Sequence, residues 1–330
     1  MKNRTGARLP LAAGELLGMT FLAAARLRAG LAARHPPPGR LMDTGGYRLH
    51  IDCQGSGEPT VVFEAAVGSP GLSWALVQPE VARHTRACVY DRAGIGWSDR
   101  SPQPRTIDIM TAELHALLAA AGIPGPYVLV GYSSGGWQAR YFAHTFPQDL
   151  AGMVMVDSAH EDQLRRLGAQ GAPAQARLIR VLPLIFKTGL PALFYRRLPL
   201  PGYGHLPAES LEAYQALFAA KNQFSEAMAA EVEIVWQNME QVRAAQISSF
   251  GDIPLRVLAH DRLDVIPGVR LSPEAGQAWL EMQEELSRLS TNGKLVITRQ
   301  SGHDILFEQP DLVIEAILDV VQAVRSAAGK

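Results

Sequence analysis

Residues 131–136 read Gly-Tyr-Ser-Ser-Gly-Gly and stand between an apolar run at 127–130 and a helical pattern at 137–146. Glycine clustered at such a junction weakens both the strand and the helix it joins. A chain that keeps it there needs a backbone bend too tight for side chains and a hydroxyl held outward. In the pattern Gly-x-Ser-x-Gly on a strand–turn–helix, the residues two before and two after the serine nearly touch, so both must be small. Ser133 has Gly131 and Gly135 at those places, whereas Ser134 would have Tyr132 at the first. Ser133 is therefore the candidate nucleophile. The amide of Ser134 then falls at the N-terminus of the next helix, where a developing oxyanion is stabilised.

Around this turn, short apolar runs alternate with helical stretches, which argues for an α/β fold with a parallel sheet covered on both faces. Residues 40–53 read as a hairpin turning at Gly45-Gly46. The alternation stops after Asp157 and resumes near 253. The expected organisation is thus a sheet domain made of 39–157 and 253–330, with 158–252 as a helical insertion. Residues 1–38 form an N-terminal segment and linker, since three prolines at 36–38 forbid helix there. Within it, residues 9–27 are largely apolar and follow Lys2, Arg4 and Arg8. Glu15 interrupts the run, which falls short of the ~20 residues that span a bilayer. A degenerate signal or membrane anchor and an ordinary docking helix both fit this pattern. Asn3-Arg4-Thr5 matches a glycosylation sequon and is read as chance.

The chain has 330 residues and a formal net charge of −1, with 47% hydrophobic residues. That balance argues against a nucleic-acid partner, which would require a basic footprint, and against disorder. Cys53 and Cys88 lack the spacing of a zinc site. They are expected as two buried thiols, with a disulfide as the alternative. The segment 93–98, Ala-Gly-Ile-Gly-Trp-Ser, fails as a dinucleotide fingerprint because Asp99 stands in the third glycine place. Neither a phosphate loop nor metal-ligand spacing occurs, so no cofactor or metal is expected.

A serine hydroxyl needs a base within hydrogen-bond reach. Of nine histidines, His303 stands apart. It follows the strand pattern of 294–300 and precedes the last helix, in a loop at a strand's C-terminal end, where sites of open α/β sheets lie. The acid that would orient it has three candidates: Asp261 and Asp264 after the strand that follows the insertion, and Asp157 at the end of the strand before it.

With these elements in place, the chain from Gly39 onward resembles the α/β-hydrolase superfamily. Residues 90–99 resemble its D-x-R-G-x-G-x-S-D loop and 131–135 its nucleophile elbow. Residues 255–267 resemble its acid strand and 301–313 its histidine loop. The resemblance implies a mostly parallel eight-stranded sheet flanked by helices, with 158–252 as a cap. Chain order together with location at a strand's end favours Asp264, then Asp157, then Asp261. The resemblance also implies an oxyanion hole made by the amides of Val67 and Ser134.

Three departures stand out. Ala65-Ala66 replaces the usual His-Gly, Leu263 stands where the acid usually falls, and Tyr132 replaces the elbow histidine. The expected activity is serine hydrolysis of a carboxylic ester, ahead of an amide or thioester. Ser133, His303 and an aspartate would act through an acyl-enzyme. A serine argues against the haloalkane dehalogenases and epoxide hydrolases of this fold, which use aspartate there. Leu184, Ile185, Phe186, Leu193, Phe194 and Trp236 suggest an apolar substrate part, although any one of them could simply pack the cap. A receptor-like ligand-binding protein and a lyase on the same fold are the rival readings. The expected partner is a small molecule, with membrane contact through the N-terminal segment.

Overall fold

The computed structural model describes residues 22–168, 172–200, 203–266 and 269–329. The sequon at Asn3 and most of the apolar run at 9–27 lie outside them. Residues 22–34 are helical, here α1, and stop just ahead of the proline run. Among the described residues, no helix is long and apolar enough to cross a membrane.

The strands are β1 (Arg40–Asp43), β2 (Arg48–Gln54), β3 (Thr60–Glu64), β4 (Ala87–Tyr90), β5 (Tyr127–Tyr132), β6 (Leu150–Val156), β7 (Leu255–His260), β8 (Asp264–Ile266), β9 (Val269–Arg270) and β10 (Gly293–Thr298). Eight of them form one sheet in the order β1-β2-β4-β3-β5-β6-β7-β10, while β8 and β9 pair as a separate ribbon. β2 runs antiparallel to both β1 and β4, and every pairing from β4 to β10 is parallel. The mostly parallel eight-stranded sheet expected from the resemblance is present.

The helices are α2 (Gln78–Ala82), α3 (Ile107–Ala120), α4 (Gly135–Thr145), α5 (Gln163–Leu167), α6 (Ala172–Lys187), α7 (Leu190–Leu193), α8 (Ala208–Ala220), α9 (Asn222–Glu233), α10 (Val235–Ala244), α11 (Pro273–Ser287), α12 (Ile305–Glu308) and α13 (Pro310–Ala328). Side chains alternate across β5, so Val128 and Val130 face one way and Leu129 the other. The first pair packs with Phe63, Val154 and Val156 against Val81 of α2 and Ile317 and Val320 of α13. Leu129 packs with Met153, Met155 and Val257 against Leu114 of α3, Phe142 of α4 and Leu286 of α11. Burial on both faces explains why these strands read as unbroken apolar runs. Between β6 and β7 the described residues hold only helices, α5 to α10.

The thiol reading of the cysteines is corrected. Cys53 of β2 lies directly opposite Cys88 of β4 in an antiparallel register, and the two are joined as a disulfide. Neither sequence spacing nor burial reveals that pairing, because it depends on which strand returns beside which.

Candidate active site

Ser133 leads from β5 into α4 with φ 54°, the left-handed region that a side chain rarely adopts. Its neighbours explain why the chain tolerates it. A Cβ on Gly131 would come 2.7 Å from the Gly135 backbone, and one on Gly135 would come 2.4 Å from the Glu64 carbonyl oxygen. Both positions are closed to any side chain, as the tight bend requires. The bend lifts Ser133 to a half-buried position, while Ser134, the residue just before α4, is buried.

His303 Nε2 lies 3.0 Å from Ser133 Oγ, and His303 Nδ1 lies 2.6 Å from Asp157 Oδ2. A carboxylate only accepts, so Nδ1 carries the proton and Nε2 is left to accept from the serine hydroxyl. Burial works to lower the His303 pKa. The bond and charge of Asp157, with the nearby Asp304, outweigh it and raise the pKa above the ordinary imidazole value.

The preferred pairing of His303 with Asp264 is corrected. Asp264 lies in β8 with its side chain 58% exposed, and both carboxylate oxygens accept from Arg270 Nη1, at 2.7 and 2.8 Å. The next residue meets the histidine loop through its backbone: the Val265 carbonyl accepts from the His303 amide at 2.8 Å. Val265 also lines the cavity beside Ser133, and because successive strand residues face opposite ways, Asp264 is turned outward. Asp261 is exposed just past the end of β7. Of the three candidate acids, only Asp157 bonds the His303 ring.

Asp157 is fully buried, also at positive φ (42°), one residue past β6. It serves two imidazoles. His260, the last residue of β7, donates from Nδ1 to both carboxylate oxygens at 2.8 Å, and its backbone amide donates to Oδ1 at 3.0 Å. Burial works to raise the Asp157 pKa, but the two histidines outweigh it and hold the carboxylate below its usual value. Sequence reasoning singles out His303 alone and misses His260. Its signal was its place at a strand's C-terminal end, the criterion that singled out Asp157. Tyr132 lies beside His303, with ring centroids 5.2 Å apart, and its hydroxyl donates to Asp304 at 2.7 Å. The elbow tyrosine thereby braces the histidine loop.

The loop after β3 lies on the other side of Ser133. The Val67 amide, expected to face the reacting carbonyl, donates instead to Ser134 Oγ at 2.6 Å. A buried ionic network holds this loop. Arg92 donates to both oxygens of Glu231 on α9, at 2.8 and 2.9 Å, and to the carbonyls of Ala65 and Ala66. Glu231 also accepts from the Gly68 amide at 2.7 Å. Burial pushes the Glu64 pKa up to about 7, against the opposing pull of Arg92 at 3.8 Å. Arg92 belongs to the motif at 90–99 and Glu231 to the insertion, so this contact also docks the insertion on the sheet. In that motif, a Cβ on Gly96 would meet the Asp91 carboxylate at 2.3 Å, so the loop closes on its own aspartate.

A cavity of about 200 Å³ opens beside Ser133 and His303. Its other walls are Ala159, Gln163, Leu167, Val265, Leu271 and Trp279, with His260 beneath. The apolar residues expected to contact substrate are elsewhere. Phe186 is packed inside the insertion with Leu217, Phe218 and Phe224. Leu184, Ile185, Leu193, Phe194 and Trp236 are exposed. Among the described residues, no group of three or more His, Cys, Asp or Glu side chains could hold a metal ion.

Comparison with known proteins agrees with this architecture. The chain is 28% identical over 268 residues to the uncharacterized protein YqjL of Bacillus subtilis, covering 81% of this chain and 85% of that one. It is 26% identical over 320 residues to a probable transporter, efuK, of Hormonema carpetanum, covering 86% of this chain but only 42% of that protein's length. Among solved structures, a putative lipase from Acinetobacter baumannii superposes with a TM-score of 0.65 at 17% identity, covering 93% of this chain and 97% of that one. A haloalkane dehalogenase variant from Bradyrhizobium elkanii superposes with a TM-score of 0.62 at 19% identity, covering 88% and 98%. At such identities the superpositions speak for the fold alone. A profile of the alpha/beta hydrolase family matches residues 61–316, which is most of the sheet and the whole insertion. With that match over well more than half of its length, the chain belongs to the alpha/beta hydrolase family.

Proposed function

We propose that the protein is a serine hydrolase that cleaves carboxylic esters with a compact apolar part. One observation carries this reading: Ser133 Oγ, His303 and Asp157 form an unbroken hydrogen-bonded line, with steps of 3.0 and 2.6 Å, beside an open cavity. His303 takes the Ser133 proton as the oxygen attacks the ester carbonyl. Asp157 keeps the imidazole in its working tautomer and stabilises the cation that forms. The amides of Ser134 and Val67 receive the oxyanion once the Ser134 hydroxyl turns away from Val67. His303 then protonates the leaving alcohol and activates water to release the acyl group. In this reading 158–252 acts as a cap, and the walls contributed by Leu167, Leu271 and Trp279 favour short apolar groups.

The identity of the nucleophile argues against the chemistry named for some fold neighbours. A serine oxygen that attacked the saturated carbon of an alkyl halide or an epoxide would form an ether, which water does not cleave. Turnover would stop after one event. Attack on an acyl carbon gives an ester, which the same histidine can hydrolyse.

A fluorophosphonate probe tests the reading directly. Wild-type protein should be labelled at Ser133, Ser133→Ala should not, and p-nitrophenyl esters of short acids should turn over faster than long ones. Folded wild-type protein that resists the probe would favour a receptor-like role. Labelling without hydrolysis of any ester in the panel would point to a lyase.

A further inference from the structure

We propose that the face formed by α1, α6 and α7 docks on an anionic lipid surface. The second half of α6 carries apolar side chains on both its inner and outer sides. Leu182 and Phe186 pack inward with Ile95, Trp97 and Phe218. Val181, Leu184 and Ile185 point outward and stay exposed. A helix apolar on every side is normally buried on every side. The outward row continues into Leu190, Leu193 and Phe194 at α7 and Leu22 on α1, with exposures from 44% at Val181 to 67% at Leu184. These elements touch. Leu31 of α1 packs on Ala192, and Ala24 closes over Gly189, where a Cβ would come within 2.5 Å of it. Arg28 donates to the Phe186 carbonyl and to Asn222 across the same seam. Seven of the ten exposed large apolar side chains among the described residues therefore share one face.

The charge around that face chooses its occupant. From Leu167 to Ala208 the chain has no Asp or Glu, and Arg180, Lys187, Arg196 and Arg197 lie on or beside α6 and α7. From Leu16 to Met42 it has four arginines and no acid. In a chain of net charge −1, that is a marked segregation. Glu226 and Glu212 pair with Lys187 and Arg196, while Arg26, Arg180 and Arg197 make no ion pair among the described residues. A second copy placed face to face would set cation against cation, which disfavours a dimer here. Apolar side chains rimmed by cations match hydrocarbon beneath anionic headgroups. The sequence before Leu22 is also largely apolar, with Lys2, Arg4 and Arg8 against one acid, Glu15.

Flotation of the full chain with lipid vesicles tests the proposal. Wild-type protein should float with phosphatidylcholine–phosphatidylglycerol vesicles and far less with phosphatidylcholine alone, and binding should fall as salt rises. The triple variant Leu184→Gln, Leu193→Gln, Phe194→Gln should bind at least about tenfold more weakly. Arg180→Gln with Arg197→Gln, an independent arm, should cost roughly fivefold per cation on anionic vesicles. Thermal melts check that each variant is folded. Three results would overturn the proposal: wild-type protein that ignores anionic vesicles, a triple variant that floats like wild type, or a wild-type dimer that the triple variant dissolves. The second would assign attachment to the segment before Leu22, and the third would make a second copy the occupant.

Discussion

The two flanks of Ser133 are built in opposite ways. On the imidazole flank, three side chains from three separate strand ends, His303, Asp157 and His260, meet in one line of hydrogen bonds. Among the described residues no lysine or arginine bonds to any of the three, and the His303 side chain keeps 24% of its surface exposed. On the amide flank the donors are backbone, and the loop carrying Val67 is held by a buried guanidinium between Glu231 and two carbonyls. The difference follows from what each must do in the proposed reaction. A group that passes a proton back and forth needs a tuned pKa and access to the reacting atoms. A group that only meets a developing charge gains from being fixed beforehand.

The contrast can be tested from both sides. Asp157→Asn should lower kcat/KM by about 10³–10⁴-fold, while Asp264→Asn should stay near wild type. The pH profile sharpens this. Protonated His303 cannot accept the Ser133 proton, so kcat/KM should fall as pH drops through an apparent pKa above the ordinary 6.5. In Asp157→Asn that limb should move to lower pH, because the raising influence is gone. Equal losses in both variants would mean that the imidazole flank is misassigned.

On the amide flank, Glu231→Gln strands the Arg92 charge and should cost about 3–5 kcal/mol of stability, read from the denaturant midpoint. Turnover should fall more than KM rises as the Val67 loop loosens. Unchanged stability would mean that Glu64, 3.8 Å from Arg92, ionises and takes over the pairing. The smallest effect belongs to Ser134→Ala. Removing the hydroxyl frees the Val67 amide and should raise kcat by at most about threefold, the scale of one modest hydrogen bond. A tenfold loss would instead assign the hydroxyl a part in holding the oxyanion.

What could be read in the sequence, and what could not, divides along physical lines. The elbow was legible because its constraint is steric and local, and only glycine satisfies it at 131 and 135. His303 was legible from its place at a strand end. The acid was not, because chain order admits Asp157, Asp261 and Asp264 alike, and only the folded sheet shows that the carboxylate after β6 is the one that meets His303. The Cys53–Cys88 bond depends on strand register, which no local pattern encodes. The loop carrying Val67 could be placed after β3, but its bond to Ser134 joins residues 67 positions apart. The outward apolar rows of α6 and α7 look the same in sequence as rows that pack.

The placement of Asp157 and His260 bears on how such a protein can be rebuilt. Asp157 is the last sheet-side residue before the chain departs into the insertion, and β7 is where it comes home. Ser158 is pinned at once, its carbonyl accepting from Gln283 at 2.8 Å. A graft that exchanged the helices while leaving 157–158 and the strand from Leu255 intact would keep the proton line whole. One that cut a residue too early would remove the acid along with the helices. New specificities on this scaffold therefore have a sharp seam at 157–158, provided that the incoming helices bring a carboxylate to Arg92 as Glu231 does.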